Sequence, residues 1–175
     1  MSPAPPRFDL AAINAMNRDA FIAVLGPAFE NAPWVAAGAW SERPFASVAA
    51  LHAAMLEVVR RADNERQLAF LCGHPELAGR EAQSGTMTAE SVGEQRSAGL
   101  NALTAAERDE LQGLNRAYRE RHGFPFIIAV RANTRQQIFE AIRTRIAQAT
   151  ASERQAALEQ IGLITRGRID ALVSE

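Results

Sequence analysis

The chain has 175 residues, a formal net charge of −1, 47% hydrophobic residues and 22% charged residues, a size and balance suited to one folded domain that buries its own core without staples. All 19 basic residues are arginine, which excludes Schiff-base chemistry, pyridoxal phosphate attachment and the Walker lysine, and the near-neutral charge argues against a nucleic-acid surface. The single Cys72 forms no internal disulfide, and histidines only at 52, 74 and 122 show no zinc-site spacing, so no metal is expected.

The first residues, Met-Ser-Pro-Ala-Pro-Pro, lack the basic start and apolar core of a signal peptide. Residues 1–7 read as a flexible arm. No run approaches 18 uninterrupted apolar residues, so a cytoplasmic protein without a membrane span is expected.

From there the periodicity is helical almost throughout. Asn17 is a plausible N-cap for a helix whose apolar face is Phe21, Val24, Leu25 and Ala28. Pro33 opens a short helix to about Trp40, because proline is tolerated at the first helical position. Val48, Leu51, Met55 and Val58 form a stripe between about Ser47 and Ala62. Asn64 caps a helix that carries Leu68 and Leu71 and stops near Gly73. The next stretch, to Gly93, is rich in glycine, serine and threonine and weakly periodic. Long loops of this kind inside a domain are usually functional.

Thr104-Ala-Ala-Glu107 is a capping-box pattern, followed by Leu111, Leu114 and Tyr118 on one face and a stop at Gly123. Phe124 to Val130 is a short apolar run in which Pro125, and the lack of a partner strand, argue against a sheet. Thr134-Arg-Gln-Gln137 caps a helix with Ile138, Ile142 and Ile146. Ser152 starts a last helix with Ala157, Leu158, Ile161 and Ile164 that reaches toward Val173. The expected fold is therefore all-α, a single compact domain of seven to eight helices with no significant sheet.

Chemistry is sought first in the glycine-rich stretch. A histidine before a proline is pushed away from helical geometry, so His74 sits at a bend. It either caps a helix that Pro75 opens or acts as a general acid/base. Ser91-Val-Gly-Glu94-Gln95 has capping-box spacing, and its carboxylate is also able to orient a nearby imidazole. His52 reads as a partly exposed surface residue and His122 as a cation at a helix end. Cys72 reads as a small core residue, and Trp34 and Trp40 as core or dimer-interface anchors. Of Arg166 and Arg168, one is able to reach a substrate carboxylate through its planar fork.

Taken in order, His74-Pro75-Glu76-Leu77-Ala78-Gly79, Ser91-x-x-Glu94-Gln95 and Phe124-Pro125-Phe126-Ile127 resemble the 2-oxo-4-hydroxy-4-carboxy-5-ureidoimidazoline (OHCU) decarboxylases. The likeness runs from about Phe8 to Val173 and includes Pro33-Trp34-Val35-Ala36, Arg43-Pro44-Phe45 and Leu114-Asn115-x-x-Tyr118. The resemblance implies a helical homodimer that uses neither metal nor organic cofactor. Its activity would be the last step from urate to S-allantoin. It places the catalytic histidine at His74 with Glu94 supporting it, and substrate contacts at Pro75, Ser91, Gln95, Phe124, Phe126, Ile127 and Arg168, with Arg166 close enough to compete for the last role. Glu76 stands where the family often has aspartate. The alternative is a non-catalytic interaction module that kept the fold, although the set His74, Glu94 and Gln95 is intact.

Overall fold

A computed structural model describes residues 7–30 and 32–175, with backbone alone at 81 and 83. Most of the expected arm, residues 1–6, lies outside the described residues. Arg7 is placed, and its guanidinium donates to the Asp170 carbonyl at 3.4 Å. The chain is helical, as its periodicity indicates. The described residues form two compact units, the first running through Gly73 and resuming at Gly162–Glu175, the second spanning His74–Ile161.

The first unit contains α1 (Leu10–Ala15), α2 (Arg18–Leu25), α3 (Pro33–Ala39), α4 (Val48–Arg61) and α5 (Asn64–Cys72). Asn17 caps α2 by accepting from the Ala20 N–H at 2.9 Å, and Pro33 occupies the first turn of α3. For α5 the capping side chain is Asp63, not Asn64, which is the first helical residue. Either residue type satisfies an orphan N–H, and the sequence does not choose between them. Phe21, Leu25, Val35, Ala36, Leu51 and Met55 are fully enclosed. Gly38 lets α3 lie close to α4: a Cβ there would meet a Val58 methyl at 2.7 Å. A two-residue parallel pair, β1 (Phe8–Asp9) with β2 (Val173–Ser174), joins the start and end of the described chain. Such a short pair leaves no period-two signal in the sequence.

Two expectations for this unit are corrected, those for Cys72 and His52. Cys72 is exposed, because the last turn of α5 turns its apolar stripe elsewhere. Trp34 and Trp40 are half-buried beneath arginines, with Arg66 4.2 Å from the Trp34 ring and Arg43 4.3 Å from the Trp40 ring. His52 is buried, its Nε2 2.9 Å from Thr165 Oγ1. Burial, followed by the fields of Arg166 and Arg60 and partly offset by Asp170, holds the His52 imidazole below its ordinary 6.5. The unfolded chain therefore binds the His52 proton more readily than the folded one, and stability falls as pH drops through that ordinary value. The midpoint of thermal unfolding should fall between about pH 7.5 and about pH 5.5. His52→Gln should flatten that dependence; an unchanged slope would remove His52 as its source.

The second unit contains α6 (Arg80–Ser84), α7 (Ala89–Ser97), α8 (Ala105–His122), α9 (Arg135–Arg145) and the first half of α10 (Thr150–Leu172). Two of the expected capping boxes are present, Thr104 with Glu107 and Thr134 with Gln137. Hydrogen bonds from the Thr104 backbone and side chain hold the exposed Glu107 carboxyl below its ordinary range. Gly123 ends α8 at φ 83°, a left-handed value that suits glycine. The last helix begins at Thr150, ahead of the expected Ser152. No described helix is long and apolar enough to cross a membrane.

Candidate active site

The bend at His74 leads into an irregular loop that lasts through Gly79, and α6 begins only at Arg80. Pro75 therefore opens no helix. His74 is buried despite its place on a loop.

Helix α7 supplies the other half of the constellation. Thr88 is its N-cap, accepting from the Ser91 N–H at 3.3 Å. Ser91 thus stands one turn in, and the expected Ser91–Glu94 capping box does not form. A serine–x–x–glutamate spacing marks a box only when the helix starts at the serine, and here it starts three residues earlier. The buried residues of α7 are Ser91, Glu94 and Gln95, spaced i, i+3, i+4 on one face. Val92 lies outward and exposed. An ordinary helix buries an apolar stripe. A short helix that buries a hydroxyl, a carboxylate and a carboxamide instead incurs a desolvation cost, and it presents polar groups inward where function can use them.

This helix is tied to the His74 loop through backbone groups. The Gln95 Oε1 accepts from the Ala78 N–H at 2.8 Å and its Nε2 donates to the Glu76 carbonyl at 3.3 Å. Asn115, from α8, donates through Nδ2 to the Leu77 carbonyl at 3.0 Å. Arg119, one turn further on, pairs with the Glu76 carboxylate at 2.7 Å. Three consecutive loop residues are thus held by side chains of two helices. Ala78 has φ 49°, a left-handed conformation that strains a non-glycine residue. These hydrogen bonds hold it there. The Gln95 carboxamide, expected to grip substrate, is engaged with the loop.

Phe124, Phe126 and Ile127 follow α8 in a segment that has no partner strand among the described residues. Their side chains are core: the Phe124 and Phe126 rings meet Tyr118 edge-on at 5.8 and 5.2 Å. The segment is buried throughout, from Phe124 to Val130. Its far end leads into the turn Val130–Ala132, against which α7 packs. Arg145 fixes the middle, donating through Nη1 to the Ile127 carbonyl at 2.9 Å with its guanidinium 4.6 Å from the Phe126 ring. The same arginine pairs with the buried Glu153 at 2.9 Å, which also accepts from the Tyr118 hydroxyl at 2.6 Å. Burial and then the adjacent Glu153 push the Tyr118 hydroxyl well above its ordinary range. It stays protonated as a donor.

His122 also belongs to this network. It lies buried at the end of α8, between Thr150 Oγ1 at 3.0 Å and the Arg145 carbonyl at 3.2 Å. Removing the Tyr118 hydroxyl should cost about 1–3 kcal/mol. Tyr118→Phe should therefore lower the urea midpoint with no change in slope, and an unchanged midpoint would show that the bond contributes nothing net.

Asn115, Arg119, Arg145 and Glu153 were not singled out by spacing. For Asn115 a signal existed: it falls on the buried face of α8 between Leu111 and Tyr118, a polar residue on an apolar stripe. The arginines carried none, because every basic residue in this chain is arginine.

Arg168 belongs to the first unit. It is buried, and its Nη2 donates to Glu30 Oε1 at 2.8 Å. Glu30 is equally enclosed, has φ 54°, and lines a cavity of about 180 Å³ with Phe29, Trp34 and Phe70. Arg166 is instead exposed and pairs with Asp170 at 2.8 Å. Of the two arginines weighed, Arg168 is the enclosed one. Among the described residues no cluster of three His, Cys, Asp or Glu is placed to hold a metal.

Residues 14–170 match the family model described as OHCU decarboxylase. The chain is 36% identical over 165 residues to a 2-oxo-4-hydroxy-4-carboxy-5-ureidoimidazoline decarboxylase of Amia calva, covering 94% of each chain. It is 37% identical to the protein of that name from Mus musculus, covering 94% of this chain and 93% of that one. Among solved structures it resembles one described as (S)-allantoin synthase, with a TM-score of 0.74 and 26% identity, covering 94% of this chain and 54% of that chain. A polar inner face on α7, a buried histidine on the loop tied to it, and these relatives across nearly the full length lead to one conclusion: the chain belongs to the OHCU decarboxylase family.

Proposed function

We propose that this protein decarboxylates 2-oxo-4-hydroxy-4-carboxy-5-ureidoimidazoline to S-allantoin, with His74 moving the protons. The observation that carries the reading is the wholly polar buried face of α7, Ser91, Glu94 and Gln95, joined to the His74 loop through Ala78 and Glu76.

The substrate contains its own electron sink. A ring C=N lies one bond from the carbon that bears the carboxylate, the imine counterpart of a β-keto acid. As the bond to CO2 breaks, its electron pair moves between the two ring carbons and the imine electrons move onto nitrogen, which takes up a proton. The resulting enol then loses its hydroxyl proton and gains one on the neighbouring carbon. Delivery of that last proton to one face gives a single enantiomer.

In this scheme His74 takes the hydroxyl proton or delivers the carbon-bound one, with Glu94 holding the imidazole in one tautomer. Ser91 and Pro75 contact the substrate beside it. The backbone from Phe124 to Ile127, held by Arg145, supplies peptide groups for the ring and ureido functions. Gln95 acts chiefly by holding the loop. Arg168 pairs with anionic oxygen through its planar fork. The proposal includes a homodimer acting in the cytoplasm. It is tested by generating the substrate from urate in situ and following loss of its ultraviolet absorbance. Faster decay with the protein supports the reading; decay at the protein-free rate contradicts it.

A further inference from the structure

Helix α8 carries a second polar arrangement that the scheme above does not use. Gln112, Asn115, Arg116 and Arg119 follow one another at i, i+3, i+4 and i+7, and they line a cavity of about 580 Å³ with Glu76, Gly79 and Arg80. His74, Ser91, Glu94 and Gln95 are absent from its lining. Its formal charges are three guanidinium groups against one carboxylate. Glu76 is taken up by Arg119 at 2.7 Å, so the remaining charge, on Arg80 and Arg116, is positive. Planar guanidinium groups converging on one space suit a carboxylate.

A second observation points to a ligand. Asn115 is 3% exposed, and its Oδ1 is enclosed without a hydrogen-bond partner among the described residues, while its Nδ2 is committed to the Leu77 carbonyl. A buried acceptor left unsatisfied costs about 1–3 kcal/mol and is rare in folded proteins. An N–H donor in the cavity that Asn115 lines would remove that cost.

We propose that this cavity is a second ligand site, separate from the His74 constellation, for a small carboxylate that also carries amide-type N–H donors, an amido or ureido acid. The carboxylate meets Arg80 and Arg116, and the N–H groups meet the Asn115 carboxamide.

Calorimetric titration with N-carbamoylglycine tests this, with acetate as a carboxylate that lacks the N–H. The wild-type protein should bind N-carbamoylglycine more tightly than acetate. Arg116→Gln and Arg80→Gln, both at exposed positions, should each weaken N-carbamoylglycine roughly tenfold, the worth of one charge-assisted hydrogen bond, while basal decarboxylation stays unchanged. His74→Gln should bind it as the wild type does. The proposal is overturned if the wild type does not bind, if acetate binds equally well, if the two arginine variants bind undiminished, or if His74→Gln abolishes binding. The last outcome would place the ligand in the His74 site. Because the readout is binding, failure here leaves the decarboxylase reading untouched, and a protein inactive on the ureidoimidazoline substrate leaves this site testable.

Discussion

His74→Gln should lower decarboxylation by roughly 10²–10⁴-fold, the usual worth of a positioned general acid or base. The thermal midpoint should move little, because glutamine fills similar space on the loop and the clamps that hold the loop act elsewhere. Those clamps bind the backbone of Glu76, Leu77 and Ala78, not the imidazole. The loss should appear in kcat more than in KM, since proton transfer acts in the transition state. Steady-state rates on substrate made in situ give the answer. Turnover near that of the wild type in a folded His74→Gln protein would take His74 out of the mechanism.

Arg168→Met should destabilise the fold by about 3–5 kcal/mol, because it removes the guanidinium from a buried ion pair. The two side chains are 5% and 4% exposed, so water cannot screen what remains. Adding Glu30→Gln to Arg168→Met should recover most of that stability, as replacing both members of a buried pair is far less damaging than removing one. Activity should separate the two roles. If Arg168 also meets the substrate, the double variant stays poorly active although its fold is restored. A double variant with full turnover would confine Arg168 to holding Glu30. Urea unfolding measures the first part and KM the second.

The helices of this chain were legible because their caps and stripes obey local rules. Thr104 with Glu107, Thr134 with Gln137, Asn17 and Pro33 each act where a side chain satisfies an orphan backbone N–H or where proline fits a first turn. Errors arose where two local solutions compete. Ser91 and Glu94 have the spacing of a capping box, but Thr88 started the helix first, and that shift turned both residues inward. Asp63 displaced Asn64 by the same competition. Burial of His52 depends on Thr165, more than a hundred residues away, and no local pattern encodes such a partner.

The site was legible in part. His74 and the α7 residues stood out as chemistry-bearing types in a glycine-rich stretch. What fixes them did not, because Gln95, Asn115 and Arg145 act on backbone groups of Ala78, Leu77 and Ile127. Any residue type offers a backbone carbonyl or N–H, so the sequence carries no mark of which one a distant side chain will seek. At Phe124, Phe126 and Ile127 the resemblance pointed to the backbone of the segment, not to the rings. The Phe124 and Phe126 rings pack on Tyr118.

The most direct measurement follows the handedness of the product. Substrate generated from urate decays unaided to racemic allantoin, so circular dichroism of the product reports the protein's action apart from the background rate. With the protein present, the signal of S-allantoin should grow to the full yield, and with His74→Gln it should shrink toward the racemic baseline. Racemic allantoin formed in the presence of folded wild-type protein would contradict the account.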